Sequence, residues 1–220
     1  MVYVGKEGGE GRMIYSENIL ICMALPLLLT VFFVQGSARR LVIHFILGMV
    51  ACLLGAYVSG FIDVAAGFGT ENTAIFISPV VEETMKFLPL LFSFLMFEPK
   101  RDTLFQAAVG IGAGFASFEN VCSMITSGTE SLAFLLIRGL AVGVMHIVSV
   151  SALALGLMIA KHYKVSGFSS ILGALSVGML FHGIYNLLAS ESGISSAIGF
   201  SLPLITAILI FVAYRKLRTL

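Results

Sequence analysis

The sequence predicts an all-α, polytopic integral membrane protein with about seven transmembrane helices. Of its 220 residues, 58% are hydrophobic and 11% are charged, whereas a soluble domain carries roughly 25% charged residues. The mean hydropathy is +1.02. Apolar runs of ~20 residues, the length that crosses a bilayer as a helix, recur with short connections between them. We therefore expect one membrane domain over residues 1–220, in which residues 1–17 form a polar N-terminal head.

Seven apolar runs are predicted to cross the membrane. They are Asn18–Val34, Leu41–Phe61, Ala74–Phe97, Leu104–Ile125, Leu132–Ala160, Phe168–Ala189 and Ser195–Tyr214. The head before the first run carries more acidic than basic residues, which is not typical of a signal peptide. The first run is therefore expected to remain in the membrane.

Basic residues alternate between the connections and predict the orientation. Every second connection and the C-terminal tail are basic: Arg39, Arg40, Lys100, Arg101, Lys161, Lys164, Arg215, Lys216 and Arg218. The other connections carry only acidic charges: Asp63, Glu71, Glu130 and Glu191. Because basic loops stay in the cytoplasm, the N-terminus is predicted to lie outside and the C-terminus inside.

Charge and cysteine usage exclude several classes of protein. The formal net charge is +1, which argues against a nucleic-acid partner, because such proteins carry an excess of basic residues that neutralise phosphates. The cysteines Cys22, Cys52 and Cys122 lie in separate apolar runs, without the spacing of a redox motif or a metal motif.

Ionisable residues inside predicted spans are costly and mark a candidate functional site. Six fall in spans three to six: Glu82, Glu83, Lys86, Glu119, His146 and His182. Glu83, Glu119, His146 and His182 each lie 14 or 15 residues from the cytoplasmic end of their span, which is ~21 Å into the membrane at the helical rise. The four spans are therefore expected to meet in one polar layer in the outer half of the bilayer. A buried network that only fixes helix packing is the alternative.

Helical spacing predicts the contacts within this layer. Lys86 lies four residues after Glu82 and three after Glu83, so it can pair with either carboxylate. Two adjacent carboxylates cannot both be ionised cheaply in a low dielectric, which favours one of them as a general base for water. Pro79 and Pro89 bracket this segment and are expected to kink the helix.

Three further features have a predicted role in the spans. Asn186 lies one turn after His182, where its amide is expected either to stabilise an oxyanion or to make an interhelical hydrogen bond. Arg138 either anchors the outer interface or contacts the acidic layer. Two GxxxG pairs predict close helix packing; they are Gly110 with Gly114 and Gly139 with Gly143.

Four motifs follow one another in these spans. Residues 82–86 read EExxK, residues 115–120 read FxxxEN, His146 lies in the fifth span and residues 182–186 read HxxxN. This set, in this order, resembles the PrsW family of intramembrane proteases and, more distantly, the CAAX-processing and bacteriocin-processing membrane proteases. The resemblance covers residues 74–189.

The resemblance implies proteolysis of a single-span membrane protein, such as an anti-sigma factor, at the outer side of a prokaryotic plasma membrane. The family's catalytic positions would correspond to Glu82, Glu83, Glu119, His146 and His182. The specific substrate does not carry over.

The residues also limit the chemistry of such a protease. HExxH and GxSG are absent, and no aspartate lies within a predicted span, which leaves water activated by glutamate. In this interpretation Lys86 tunes the Glu82–Glu83 pair, the histidines orient water or stabilise the oxyanion, and Asn186 assists. A metal-free site is preferred, because Lys86 already balances charge. The alternative is zinc held by His146, His182 and either Glu119 or Glu83.

Two other functions remain open at this point. A proton-coupled transporter or channel also uses acid–histidine relays inside the membrane, although no internal repeat is evident. A non-catalytic membrane scaffold would use the same network for packing alone.

Overall fold

The structure is a computed structural model that describes residues 2–4, 12–127, 132–163 and 167–218. Glu130 and Lys164, which contribute to the orientation argument, lie outside these residues. At the N-terminal end, strand β1 (Val2–Val4) pairs antiparallel with β2 (Arg12–Ile14). Apart from short connections, the rest of the described chain is helical, so the predicted all-helical membrane class is confirmed except for this short ribbon.

Eight α-helices follow within the described residues. They are α1 (Ser16–Phe33), α2 (Gly36–Ala66), α3 (Thr70–Asn72), α4 (Ser78–Phe97), α5 (Arg101–Ser127), α6 (Leu132–Tyr163), α7 (Gly167–Ser190) and α8 (Ile194–Arg218). The π-helical segment Thr73–Ile77 joins α3 to α4. The helix α2 begins earlier than predicted, so Arg39 and Arg40 lie in its first turns and not in a loop.

In the described part of the chain, six helices are long and apolar enough to cross a membrane: α1, α2, α5, α6, α7 and α8. The third predicted span, Ala74–Phe97, corresponds to the π-helical segment and α4. The helix α4 falls short because every 18-residue stretch of its 20 residues contains Glu82, Glu83 and Lys86. It packs against α2, α5, α6 and α7, so its charged residues face protein.

The start of α4 contains the first of the two prolines that predict a kink. Pro79 lies in the first turn of α4, and the π-helical segment precedes α4 without a break. Because proline has no N–H group, a carbonyl oxygen of that segment lacks its helical donor. Such π-helical segments are frequent at functional sites. Pro89 remains inside α4, as the sequence predicts.

The helix α6 is the most buried of the six candidate spans and packs against α4, α5, α7 and α8. The largest apolar cluster joins it to α4 and α5. Its members include Phe87, Leu90, Leu104, Ala108, Ile111, Val150, Leu153 and Leu157. This cluster lies between the polar residues and the predicted cytoplasmic ends of the helices, and it holds the three helices in register.

Glycine lets α5 approach its neighbours closely. A Cβ atom at Gly114 would collide with the backbone of Phe45 in α2, and one at Gly112 would lie 2.7 Å from the carbonyl oxygen of His146 in α6. The close packing predicted for Gly110 and Gly114 is therefore confirmed. The prediction for the other GxxxG pair is wrong, since no atom of another helix lies within 4 Å of a Cβ built at Gly139 or Gly143 in the described part of the chain.

Candidate active site

Four helices bring the predicted polar residues together at the centre of the bundle. The helix α4 provides Glu82, Glu83 and Lys86, α5 provides Glu119, α6 provides His146, and α7 provides His182. Glu83, Lys86, His146 and His182 are buried.

Lys86 links the acidic pair of α4 to the histidine of α6. Its Nζ atom lies 2.6 Å from Oε1 of Glu83 and 2.7 Å from Nδ1 of His146. It also lies 4.3 Å from the ring centroid of Phe115, where a cation is attracted by the face of the ring. Both the Lys86 side chain and its Glu83 partner have no exposed surface. The lysine charge is therefore compensated inside the protein and not by solvent.

The contacts of His146 define which of its nitrogens carries the proton. An ammonium group can only donate, so Nδ1 of His146 accepts from Lys86. The remaining nitrogen, Nε2, then donates to Oε2 of Glu119, at 2.5 Å. Glu119 in turn lies 3.5 Å from Nη2 of Arg138. Of the two alternatives for Arg138, the structure therefore shows contact with the acidic layer.

His182 approaches both carboxylates of α4. Its Nδ1 atom lies 2.9 Å from Oε1 of Glu83, and its Nε2 atom lies 3.7 Å from Oε2 of Glu82. The Nδ1–H group donates to the ionised carboxylate of Glu83, which leaves the lone pair of Nε2 near Glu82. The rings of His146 and His182 are nearly perpendicular, with centroids 5.2 Å apart.

Two carboxylate oxygens of this centre are buried without a hydrogen-bond partner among the described residues: Oε2 of Glu82 and Oε2 of Glu83. A buried polar atom without a partner is costly, so a water molecule, an ion or a polar group of a substrate would be stabilised at this place. In the same place Glu82, His146 and His182 each offer one ligand atom, and these atoms lie within 4.8 Å of one another.

This donor set fits a catalytic zinc site, which uses three nitrogen or oxygen ligands and keeps a position open for water or substrate. The hydrogen bond from His182 to Glu83 is of the kind that orients a metal-binding histidine. Both ring nitrogens of His146 are engaged, so its coordination to a metal requires the contact with Lys86 or with Glu119 to give way. The acidic member of this cluster is Glu82, whereas the sequence predicts Glu119 or Glu83 in that role.

Asn186 makes a hydrogen bond to the backbone of another helical segment. Its Nδ2 atom donates to the carbonyl oxygen of Ala74, at 2.9 Å. The bond ties α7 to the π-helical segment that precedes α4. The interhelical hydrogen bond predicted as one alternative for this residue is therefore present, and it uses one of the two N–H groups of the amide.

A cavity of about 460 Å³ opens beside this centre. Glu119, Arg138 and Asn186 line its inner part, and Glu71 and Glu191 line it as well. By the predicted orientation the two acidic connections face the outer side of the membrane, so the cavity offers access to the centre from that side.

Sequence reasoning missed two neighbours of the centre. Phe115, whose ring lies against the ammonium group of Lys86, is the first residue of the FxxxEN motif. The motif could therefore have identified it as a residue of the centre. Gly178 gave no signal, because its proximity to Glu83 depends on how α4 packs against α7: a Cβ atom there would lie 3.4 Å from Oε2 of Glu83.

Comparison with curated proteins finds no match, and neither does comparison with solved structures. A family model described as PrsW family intramembrane metalloprotease matches residues 36–214, which include the four motifs and every residue of the buried centre. The chain therefore belongs to the PrsW family of intramembrane proteases.

Proposed function

We propose that this protease cleaves a single-span membrane protein near the outer side of a cell membrane, with the centre formed by α4, α5, α6 and α7 as its active site. The observation that carries the proposal is the buried network in which Lys86 and two histidines surround two unpartnered carboxylate oxygens. An anti-sigma factor is the substrate class that the family resemblance suggests. Membership of a protease family favours this function over the transporter and scaffold alternatives.

Glu83 is the proposed general base. Its Oε1 atom is held by Lys86 and His182, and its Oε2 atom is buried without a partner among the described residues. One oxygen is thus fixed while the other is left to accept a proton from the attacking water. The ammonium group of Lys86 stabilises the ionised carboxylate before the proton is taken.

The family description and the Glu82–His146–His182 cluster favour the zinc alternative over the metal-free site. We assign these three residues as the groups that would hold the ion. When bound, zinc would act as a Lewis acid on a carbonyl oxygen. Glu119 orients His146, and Arg138 holds Glu119 in turn.

The substrate is proposed to reach the centre through the cavity beside Glu119. A peptide must be extended to expose its backbone carbonyl to attack. The amide of Asn186 has a second N–H group besides the one bonded to Ala74, and we propose that it assists in stabilising the oxyanion. Glu71 and Glu191 would contact the segment of the substrate that lies just outside the membrane.

The purified full-length chain, reconstituted in vesicles, should cleave candidate single-span substrates. Glu83→Gln should reduce turnover by at least about 100-fold, because an amide cannot accept the proton. Glu17→Gln makes the same chemical change at the start of α1, away from the site, and should leave turnover unchanged. Equal turnover by Glu83→Gln and wild type would show that Glu83 is not the base.

A further inference from the structure

A second polar cavity lies at the opposite end of the bundle, where α4 ends, α5 begins and α6 ends. Its volume is about 440 Å³. Three cationic side chains line it, Lys100, Arg101 and Lys161, together with His162, and Glu98 is the carboxylate among its lining residues. The excess of positive charge makes it a candidate site for an anion.

The cationic groups are partly preorganised. The guanidinium group of Arg101 donates through Nη1 to the carbonyl oxygen of Leu217 and through Nη2 to Nδ1 of His162, the latter at 3.1 Å. The Nζ atom of Lys161 lies 5.9 Å from the ring centroid of Phe94. In the described part of the chain, no carboxylate forms an ion pair with Lys100 or Lys161. Their charges are therefore free to meet a ligand.

The backbone around this cavity adds to its affinity for an anion. The long helix α5 begins at Arg101, so the positive end of its dipole lies here. Glu98 has a φ of 40°, the positive value that non-glycine residues rarely adopt, and this turn brings Lys100 and Arg101 back beside the end of α6. Strained residues of this kind recur at ligand sites.

An apolar cavity of about 330 Å³ adjoins the basic one. The two share Phe94, Glu98 and Lys161 as lining residues. The apolar part continues along Leu157 and Ile171 between α4, α6 and α7. A small free anion would make no contact with this apolar part of the cavity, whereas the acyl chain of a lipid can lie in it.

We propose that this composite cavity binds one anionic phospholipid, with its phosphate between Lys100, Arg101 and Lys161 and an acyl chain along Leu157 and Ile171. The helix ends around the basic part place it at the membrane–water interface. The basic connections predict that this interface is the cytoplasmic one, and basic pockets between helices on that side bind anionic headgroups. Glu98, at the junction of the two parts, can accept a hydrogen bond from a headgroup hydroxyl.

The proposal does not depend on proteolysis and is tested by lipid binding to the purified full-length chain in detergent. Native mass spectrometry should detect one tightly bound dioleoyl phosphatidylglycerol, with affinity about tenfold or more above that for dioleoyl phosphatidylcholine. The double variant Lys100→Gln/Lys161→Gln should lose this preference. The matched double variant Arg39→Gln/Arg40→Gln removes two charges from α2, outside the cavity, and should keep it.

A further variant separates the two parts of the cavity. Ile171→Trp fills the apolar part and should weaken binding of the dioleoyl lipid several-fold while leaving binding of dihexanoyl phosphatidylglycerol unchanged. Equal affinity for phosphatidylcholine, or equal loss in the Arg39/Arg40 variant, would overturn the proposal. Inorganic phosphate that binds as tightly as the long-chain lipid would overturn it too, because it would indicate an anion site without an acyl arm.

Discussion

The Nζ atom of Lys86 lies 2.7 Å from Nδ1 of His146, and this contact joins the acidic pair of α4 to α6. The contacts continue in both directions as one chain: Arg138, Glu119, His146, Lys86, Glu83 and His182. The chain contains two pairs of opposite charge, Arg138 with Glu119 and Lys86 with Glu83, and the neutral histidines connect these pairs by hydrogen bonds. Loss of one member of a pair leaves the other uncompensated, which is costly in a low dielectric.

The Glu83–Lys86 pair should show strong coupling in a double-mutant cycle. Glu83→Gln and Lys86→Met should each lower the free energy of unfolding in mixed micelles by about 3 kcal/mol, because each leaves one buried charge unpaired. The double variant should be more stable than the sum of the two losses predicts, yet inactive because the base is missing. Strict additivity would contradict the buried ion pair, and an active double variant would contradict the role of Glu83.

Metal content should depend on the three clustered residues. Wild-type protein should contain one zinc ion per chain, lose activity on chelation and recover it on zinc addition. Glu82→Gln, His146→Ala and His182→Ala should each lose the ion. Glu119→Gln should only weaken zinc binding, by about 10- to 100-fold, because Glu119 does not bind the metal but forms a hydrogen bond to the ligand His146. His162→Ala, a histidine outside the centre, is the matched control. Active wild-type protein without metal by elemental analysis would restore the metal-free interpretation.

Any side chain at Gly112 should disrupt the close packing of α5 against α6. A Cβ atom there would lie 2.6 Å from Cα of Ile147 and 2.7 Å from the carbonyl oxygen of His146, so Gly112→Ala should displace α6 and cost about 1–3 kcal/mol. Cleavage should fall as well, because the backbone of His146 moves. Gly139→Ala is the control: its Cβ meets open space, and alanine stabilises a helix by roughly 0.5–1 kcal/mol relative to glycine. The free energy of unfolding and the rate of cleavage should be measured for both variants. Equal values for Gly112→Ala and Gly139→Ala would show that Gly112 is not a packing contact.

The orientation can be tested by labelling from each side of the membrane. Single cysteines at Ser37, in the first turn of α2, and at Ser192, between α7 and α8, should be introduced in a background without the native cysteines. A membrane-impermeant thiol reagent should reach Ser192→Cys from outside and Ser37→Cys only after the membrane is opened. The basic connections predict this result. Labelling of both positions from one side would contradict the predicted orientation and the outer site of cleavage with it.

The sequence by itself determined the membrane class and most of the spans, and it predicted a common depth for the polar residues. Hydropathy depends on composition along the chain, and helical rise converts residue number directly into depth. The same arithmetic predicted that Glu83, Glu119, His146 and His182 lie at one level, and the structure joins all four through contacts. The spacing of Lys86 also predicted its pairing with a carboxylate of α4.

The tertiary structure decided which groups in that layer face one another. Depth does not define the direction in which a helix turns its side chains, and that direction depends on how neighbouring helices pack. For this reason only the structure shows Glu82, and not Glu119, beside both histidines, and the Asn186 amide on Ala74. The two GxxxG pairs look alike in sequence, yet Gly114 faces α2 while Gly139 faces open space, because only the first pair lies on a helix face that another backbone covers.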